Sequence, residues 1–376
     1  MTGDSLKSLS SAKRLIIKIG SALLTTDKAG ELNHAWLAAL ADDIAKFKQN
    51  DAEVIIVSSG AVAVGRQALA LADGPLRLEE KQAAAAAGQI GLFHAWQEAF
   101  ARHEMRTAQI LLTPSDTEER RRHLNARNTI ETLLSLGAVP VINENDTVAT
   151  EEIRFGDNDR LAARVAQMIG ADGLVLLSDI DGLYSADPSD DKSAEFIPDV
   201  TEITADIEAM AGEAAPGNSS GGMVTKIEAA KIATRAGCAV VIADGKEHHS
   251  LAAIDGGKRC TWFHATATPS TARKRWIAGA LTPSGVLTID DGAVKALGSG
   301  KSLLPAGVVS ISGNFERGDA VVIETSEKDR LGCGLIAYSS KDAKLIAGHK
   351  TGEIEALLGY RGRDEMMHRD DLVIDG

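Results

Sequence analysis

Short apolar segments alternate with longer segments of helical periodicity from the N-terminus to about Gly256. The apolar segments lack polar alternation, which is typical of strands buried on both faces of a sheet. The predicted strands are Arg14–Gly20, Val54–Val57, Thr107–Leu112, Val139–Ile142, Gly173–Leu177 and Ala239–Ala243. The predicted helices are Asn33–Gln49, Lys81–His103, Asn125–Leu136, Asp159–Ile169 and Met223–Ala236. This alternation predicts a mainly parallel sheet with helices on both faces, an open three-layer α/β/α sandwich.

Beyond Thr268 the pattern changes to short alternating segments separated by glycines. Val286–Ile289, Val308–Ile311 and Ala320–Ile323 have the spacing of strands in a small β-rich domain. The polar, proline-containing stretch 268–275 predicts a linker. The predicted divisions are an α/β domain at 1–265, a linker at 266–283, a β-rich domain at 284–364 and a C-terminal tail at 365–376.

Composition narrows the possible partners. The 376-residue chain has a formal net charge of −13, which argues against a general nucleic-acid or membrane-surface binder. Cys238, Cys260 and Cys333 are odd in number and show no CxxC spacing, which indicates a reducing compartment and no zinc site. No run approaches the ~18 apolar residues typical of a membrane span. We expect a soluble cytoplasmic protein without a membrane partner.

The segment 140–166 has the densest cluster of polar side chains next to a predicted strand. Its sequence, PVINENDTVATEEIRFGDNDRLAARVA, passes from an apolar run to carboxylates and carboxamides and then to a helical pattern. Ligands of open α/β sheets bind outside the carboxyl ends of the strands. This segment is therefore a predicted substrate site, although one such cluster alone is equally typical of a turn with a capping residue.

A loop that leads into a predicted helix combines glycines with a lysine, Ser220 to Lys226 (SGGMVTK). Glycines allow backbone N–H groups to approach phosphate oxygens, and a helix N-terminus adds positive potential. Lys18 ends a buried strand, where a lysine is costly unless it reaches water or an anion. The motif HExxH, and a GxGxxG after the first strand, are absent from the sequence. Phosphate-binding backbone, two lysines and a carboxylate-rich loop favour phosphoryl transfer.

The chain resembles the amino-acid kinase family in segments spread over most of its length. They are KIGS at 18–21, SSGA at 58–61, LNAR at 124–127, PVINENDTVAT at 140–150, GDND at 156–159, SDIDGLYSADP at 178–188 and GGMVTK at 221–226. The segment SLLPAGVVSISGNFERGD at 302–319 resembles a PUA domain. The resemblance implies the amino-acid kinase fold followed by a PUA-like domain, and INEND with GDND is its most specific part.

The resemblance further implies an ATP-dependent phosphorylation of the γ-carboxylate of L-glutamate, the first step of proline biosynthesis, with Mg²⁺ on the nucleotide. It implies feedback inhibition by L-proline. We expect proline to compete with glutamate, because both have an α-carboxylate and a cationic α-nitrogen, and we expect the long polar loop 149–156 to close over either ligand. The resemblance implies Lys18 and Lys226 at the phosphoryl group and Ser59, Asp146 and Asn158 on glutamate. The implied ATP-binding residues, besides the two lysines, are Ser178, Asp179, Ser220, Gly221, Gly222, Met223, Val224 and Thr225.

Two roles are our own expectations. We expect Asp159 to orient the two lysines, and we expect no general base, because a carboxylate with a pKa near ~4.3 is already a nucleophile at neutral pH. We name no protein ligand for the metal ion, and we expect a homo-oligomer.

Alternatives stay open at this point. A sister acyl-phosphate kinase acting on N-acetylglutamate or aspartate shares the fold, although it should lack both INEND and the β-rich tail. UMP kinase also shares it, but the sequence shows no site for base and ribose. The PUA-like domain suggests RNA binding, yet residues 284–376 contain 15 Asp and Glu against 11 Lys and Arg, a poor balance for a phosphate backbone.

Overall fold

The computed structural model describes residues 6, 8–26, 30–72, 74–148, 158–212, 222–280 and 283–375. The chain forms two compact units, Met1–Pro269 and Ser270–Gly376. Each unit has its own hydrophobic core.

A mainly parallel sheet forms the centre of the first unit. The strands of this unit are β1 (Arg14–Ile19), β2 (Glu53–Ser58), β3 (Thr107–Leu112), β4 (Val139–Glu144), β5 (Gly173–Ser178), β6 (Leu183–Tyr184), β7 (Phe196–Ile197), β8 (Asp199–Val200), β9 (Ala239–Asp244) and β10 (Cys260–Phe263). Within the described residues, the sheet order is β3-β4-β2-β1-β5-β9-β10-β8, and β6 pairs separately with β7. β10 runs antiparallel to β9, while the other pairs of the large sheet are parallel.

Helices cover both faces of this sheet. They are α1 (Ser21–Leu24), α2 (His34–Gln49), α3 (Ala61–Ala68), α4 (Leu78–Ala101), α5 (Pro114–Glu118), α6 (Arg120–Ser135), α7 (Asn158–Ile169), α8 (Ala205–Ala209), α9 (Met223–Arg235) and α10 (Ser250–Asp255). Apolar side chains of α2, α4 and α10 form one core, and those of α6, α7 and α9 form the other. The predicted three-layer α/β/α sandwich is confirmed.

The central strand β1 shows why its run 15–17 is apolar at every position. Leu15 and Ile17 belong to the core on one face, and Ile16 belongs to the core on the other. All three side chains are fully buried. A strand covered on both faces gains from apolar residues at every position, so period-two alternation is absent.

Helices α3 and α4 touch through glycine. A Cβ atom at Gly65 would lie 1.7 Å from the Ala84 carbonyl oxygen, and one at Gly88 would lie 1.9 Å from the Ala61 carbonyl oxygen. Because both obstacles are backbone atoms, side chains at these positions would force the helices apart. The contact keeps the first turn of α3 against the middle of α4.

The second unit is β-rich, as predicted. Its elements are α11 (Pro269–Ala280), β11 (Gly285–Ile289), α12 (Asp291–Gly298), β12 (Val308–Gly313), β13 (Ala320–Thr325), β14 (Arg330–Leu335), α13 (Ser340–Ile346), α14 (Ile354–Leu358) and β15 (Leu372–Ile374). The strand order in the described part is β12-β11-β13-β14-β15.

Two predicted boundary segments have regular structure. α11 occupies most of the predicted linker 266–283, and β15 lies within the predicted tail 365–376, where it pairs with β14. Arg273 on α11 donates to the carboxylate of Asp371, Nε to Oδ1 at 3.1 Å, which ties the helix to this unit. The domain limits given in the sequence analysis, 1–265, 266–283, 284–364 and 365–376, stay a prediction. Among the described residues, none of the helices is long and apolar enough to cross a membrane.

Candidate functional site

Polar residues follow neighbouring parallel strands at one edge of the sheet. β1, β2, β4 and β5 end along this edge because they are parallel and adjacent. The backbone N–H of Ser59 donates to Ile19 O at 3.2 Å, which joins the ends of β2 and β1. Gly60 has a φ of 98°, a left-handed conformation that suits glycine and lets α3 begin directly after Ser59.

Asp159 lies between the two lysines that the sequence analysis selected. Its Oδ1 is 2.6 Å from Nζ of Lys18 at the end of β1, and its Oδ2 is 3.2 Å from Nζ of Lys226 in α9. The side chains are 5%, 3% and 0% exposed for Lys18, Lys226 and Asp159. Thr225 also donates to Asp159, Oγ1 to Oδ2 at 2.9 Å. Three elements distant in sequence therefore converge on one buried carboxylate.

The charges in this cluster shift each other's ionisation. Burial alone would raise the pKa of Asp159, but the ammonium groups of Lys18 and Lys226 outweigh it and hold this pKa below its ordinary value. Burial lowers the pKa of Lys226; the Asp159 carboxylate opposes this effect and the Lys18 ammonium adds to it. Two buried ammonium groups thus share the Asp159 carboxylate, and the negative charge of Asp179 also acts to raise the pKa of Lys226. Such a cluster is suited to an anionic ligand.

A second polar cluster is continuous with the first, because Asn158 precedes Asp159 at the start of α7. The Asn158 amide Nδ2 donates to Ser59 Oγ at 2.9 Å and to Asn143 Oδ1 at 3.0 Å. Asn158 and Asn143 are 2% and 3% exposed. The predicted substrate residues Ser59 and Asn158 are therefore in direct contact, next to the lysine cluster.

Asp146 lies in a 3-10 turn, Asp146–Val148, which follows β4. Its side chain is almost buried. Burial, and to a smaller degree the negative charge of Glu144, raises the pKa of Asp146 to about 7. A carboxyl group with this pKa changes charge within the physiological range.

The remaining predicted ATP residues lie at the ends of β5 and α9. The Ser178 hydroxyl donates to the Asp179 carboxylate at 3.1 Å, and Lys246 donates to the Asp179 backbone oxygen at 2.9 Å. Gly222 is the N-cap of α9, which begins Met223-Val224-Thr225. Ser220, Gly221 and the predicted closing loop 149–156 lie outside the described residues. Among the described residues, no three His, Cys, Asp or Glu side chains form a group suited to a metal ion.

The sequence analysis did not select Asn143. Its side chain contacts Asn158 from the end of β4, and the signal was available, because Asn143 is the first asparagine of the INEND motif. Thr225 remains a predicted residue of the nucleotide loop, and its hydroxyl also contacts Asp159.

A family model described as "Amino acid kinase family" matches residues 13–244, which contain every site residue named above except Lys246. The chain belongs to the amino acid kinase family. A PUA domain model matches residues 285–358, in the second unit. This member of the amino acid kinase family thus has the two parts that the sequence predicts.

Curated relatives match this amino acid kinase over nearly its whole length. A protein of Paramagnetospirillum magneticum named Glutamate 5-kinase is 61% identical over 98% of this chain and 99% of its own. A Glutamate 5-kinase of Rhizobium etli is 60% identical over 98% of this chain and 94% of its own. Among solved structures, carbamate kinase from Giardia lamblia bound to AMP-PNP has a TM-score of 0.48 and 17% identity, and covers 68% of this chain and 99% of its own.

Proposed function

We propose that this amino acid kinase transfers the γ-phosphoryl group of ATP to the γ-carboxylate of L-glutamate, the first step of proline biosynthesis. The products are L-glutamyl 5-phosphate and ADP. Relatives about 60% identical over almost the whole chain carry the name Glutamate 5-kinase. The observation that carries the proposal is the buried Lys18–Asp159–Lys226 cluster, which places two ammonium groups next to the Ser59–Asn158 contact.

The proposed reaction is a direct transfer between the two substrates, with no covalent bond to the protein. A γ-carboxylate oxygen of glutamate attacks the γ-phosphorus of ATP in line, a new O–P bond forms, and the bond from phosphorus to the β,γ-bridging oxygen breaks. The leaving group is ADP. Because the attacking carboxylate is ionised at neutral pH, no proton has to be removed from it. Positioning and charge neutralisation supply most of the catalysis in such transfers.

In this proposal, Lys18 and Lys226 stabilise the charge on the transferring phosphoryl group. Both ammonium groups lie on one carboxylate, that of Asp159, which fixes their separation before the substrates bind. Preorganised charges of this kind act strongly in a buried site because they require no reorganisation during the reaction. Asp159 is then a positioning residue for the two catalytic lysines.

Glutamate is assigned to Ser59, Asp146 and Asn158. Asp146 offers a carboxylate to the α-ammonium group, and Ser59 with nearby N–H groups binds the α-carboxylate. ATP is assigned to Ser178, Asp179 and residues 220–226, with its phosphates at the N-terminus of α9, where backbone N–H groups are unpaired by the helix. Mg²⁺ is assigned to the nucleotide phosphates and water, its usual ligands in kinases. A cytoplasmic location and a homo-oligomeric assembly complete the proposal.

A four-substrate assay tests the reaction. Purified protein is incubated with ATP and glutamate, N-acetylglutamate, aspartate or UMP, and acyl phosphate is trapped as hydroxamate. We expect hydroxamate from glutamate alone. Hydroxamate from N-acetylglutamate or aspartate in place of glutamate would move the chain to another acyl-phosphate kinase, and phosphorylation of UMP would reject the acyl-phosphate chemistry.

L-Proline is the proposed feedback inhibitor, and it should compete with glutamate. Proline and glutamate share an α-carboxylate and a cationic α-nitrogen, so Ser59 and Asp146 can bind either. Proline has no γ-carboxylate and cannot react. Initial rates over a grid of both concentrations should show a raised apparent KM for glutamate at constant Vmax. A lowered Vmax with unchanged KM would place proline at a separate site.

A further inference from the structure

Two polar side chains of helix α4 make hydrogen bonds to residues at the ends of β2 and β4, next to the proposed glutamate site. Gln89 and Trp96 are seven residues apart, so they lie on the same face of the helix. Gln89 Oε1 accepts from Asn143 Nδ2 at 2.7 Å, and Trp96 Nε1 donates to Ser58 Oγ at 3.1 Å. Gln89 is 9% exposed, and neither the family match nor the charge cluster above gives it a role.

The direction of the hydrogen bonds between these amides is fixed by the backbone. The N–H of Glu144 donates to the Asn143 side chain at 2.9 Å, and because a backbone N–H can only donate, the Asn143 atom that it contacts is Oδ1. The other end of the Asn143 amide is therefore Nδ2, which requires an acceptor. Gln89 Oε1 is that acceptor.

The same logic sets the orientation of Asn158. Since Asn143 presents Oδ1, the Asn158 atom facing it must be the donor Nδ2, whose second hydrogen is used by Ser59 Oγ. Asn158 Oδ1 is then left as a buried acceptor without a hydrogen-bond partner among the described residues. An unsatisfied buried acceptor costs free energy until a donor reaches it. The cationic nitrogen of an amino-acid substrate is such a donor.

We propose that Gln89 is a positioning residue, which acts through Asn143 to hold Asn158 in the orientation that binds the substrate. This inference rests on the proposed glutamate site. Gln89 is suited to the role because the adjacent Gly88 packs on the backbone of α3, so that the helix cannot shift freely at this point. No hydrogen bond joins Gln89 to the lysine cluster among the described residues, and we expect its effect on substrate binding rather than on the transfer step.

The test compares Gln89→Met, which keeps the length of the side chain and loses the amide acceptor, with Gln89→Glu, which keeps an acceptor oxygen. We expect Gln89→Met to raise the KM for glutamate about tenfold, because Asn143 Nδ2 becomes a buried donor without a strong acceptor. The KM for ATP and kcat should stay close to wild type. Gln89→Glu should retain most of the glutamate affinity. Gln97→Met, the same change at an exposed position of α4, is the matched control and should have no effect.

A double-mutant cycle separates positioning from a merely structural role. In an Asn143→Ala background, Gln89→Met should change the KM for glutamate little, because the residue through which Gln89 acts is gone. An equal further loss in that background, or an equal loss in Gln89→Glu and Gln89→Met, would overturn the inference. If Gln89→Met does not fold, Gln89→Glu decides: a KM for glutamate raised as far as in Asn143→Ala would also overturn it. Wild-type protein that forms no hydroxamate from glutamate would instead reject the proposed function.

Discussion

At the scale of single residues, the site depends on carboxylates whose surroundings push their ionisation in opposite directions. Asp159 is buried with two ammonium groups, and its pKa is lowered. Asp146 is buried beside another carboxylate, and its pKa is raised. The first stays charged at any physiological pH, whereas the second changes charge near neutrality. Asp159 is therefore suited to a permanent positioning role, and Asp146 is suited to a substrate contact that responds to pH.

Replacing Asp159 with Asn should impair both catalysis and folding. Two buried ammonium groups would lose their common counter-charge, and breaking a buried ion pair from one side costs about 3 kcal/mol or more. We also expect kcat to fall at least about 100-fold, because preorganised lysines are the main source of charge stabilisation. Hydroxamate kinetics and urea denaturation measure the two effects. Asp190→Asn at an exposed position is the control, and a normal kcat in Asp159→Asn would reject the orienting role.

The raised pKa of Asp146 predicts a pH-dependent affinity for glutamate. The carboxyl group must be ionised to bind the substrate ammonium, so KM for glutamate should fall as the pH rises through about 7. One pH unit below that value the site is mostly protonated, and KM should be about tenfold higher than the high-pH limit. Asp146→Asn should raise KM and remove this dependence, while KM for ATP stays constant. A KM for glutamate that stays constant in the wild type from roughly one pH unit below this pKa to roughly one unit above it would contradict the assignment.

The same shift has a consequence for stability with a defined sign. Between the unfolded pKa of Asp, about 3.9, and the folded value of about 7, the folded state binds more protons than the unfolded state. Asp146 therefore favours folding most at low pH, and its contribution is lost as the pH rises towards 7. Asp146→Asn should lessen this part of the pH dependence of the free energy of unfolding, which denaturation at several pH values measures.

At the scale of elements, the glycine contact between α3 and α4 holds the two sides of the substrate site together. α3 begins directly after Ser59 and Gly60, and α4 carries Gln89. The contact needs the absence of a side chain at Gly88, because the nearest atoms are backbone. Its effect is on position, and it should be felt in substrate binding as well as in stability.

Gly88→Ala should therefore lower the thermal midpoint and raise the KM for glutamate, as α3 is pushed away from α4. Gly91→Ala is the matched control on the same helix. A Cβ atom there would lie 3.5 Å from Val64 Cγ1, an ordinary contact. In a helix interior, the change from Gly to Ala stabilises by roughly 0.5–1 kcal/mol. Opposite signs in the two variants support the close contact, and equal stabilisation would reject it.

The elements that the sequence predicts best are those buried on both faces. β1, β2, β4, β5 and β9 each contain a continuous apolar run, and such a run can be recognised in the sequence without knowledge of the neighbouring strands. β10 was not predicted, because Thr261 interrupts its apolar run. That hydroxyl is buried for a reason that lies elsewhere in the chain: it accepts from Leu183 N and donates to Ile197 O.

The residues of the candidate site likewise fall into those that the sequence predicts and those that only the fold reveals. Lys18, Asp159 and Lys226 could be selected from the sequence because charged residues at strand and helix ends are locally conspicuous, and the structure brings them together. Gln89 could not, since it lies in an alanine-rich helix and acquires its partner, Asn143, only through the fold. Local patterns identify the chemistry of a site, whereas the groups that orient it depend on tertiary contacts.

At the scale of the whole molecule, the motifs proposed for catalysis lie in the first unit and the PUA match lies in the second. A chain that ends at Pro269 should therefore still fold and form hydroxamate from glutamate, because its two cores consist of its own residues. Circular dichroism and the hydroxamate assay check this expectation. A truncated protein that is folded but wholly inactive would show that the second unit completes the site.

The position of β1 in the sheet also constrains how the protein is made. β1 pairs on one side with β2, the next strand in the sequence, and on the other side with β5. Leu15 therefore cannot pair on that second side until Gly173 has been synthesised. At roughly 5–20 residues per second, a ribosome needs on the order of ten seconds or more to deliver that partner. During this interval the nascent chain carries an apolar strand with an open edge. Factors that shelter emerging chains should therefore matter most for this protein before β5 has been synthesised.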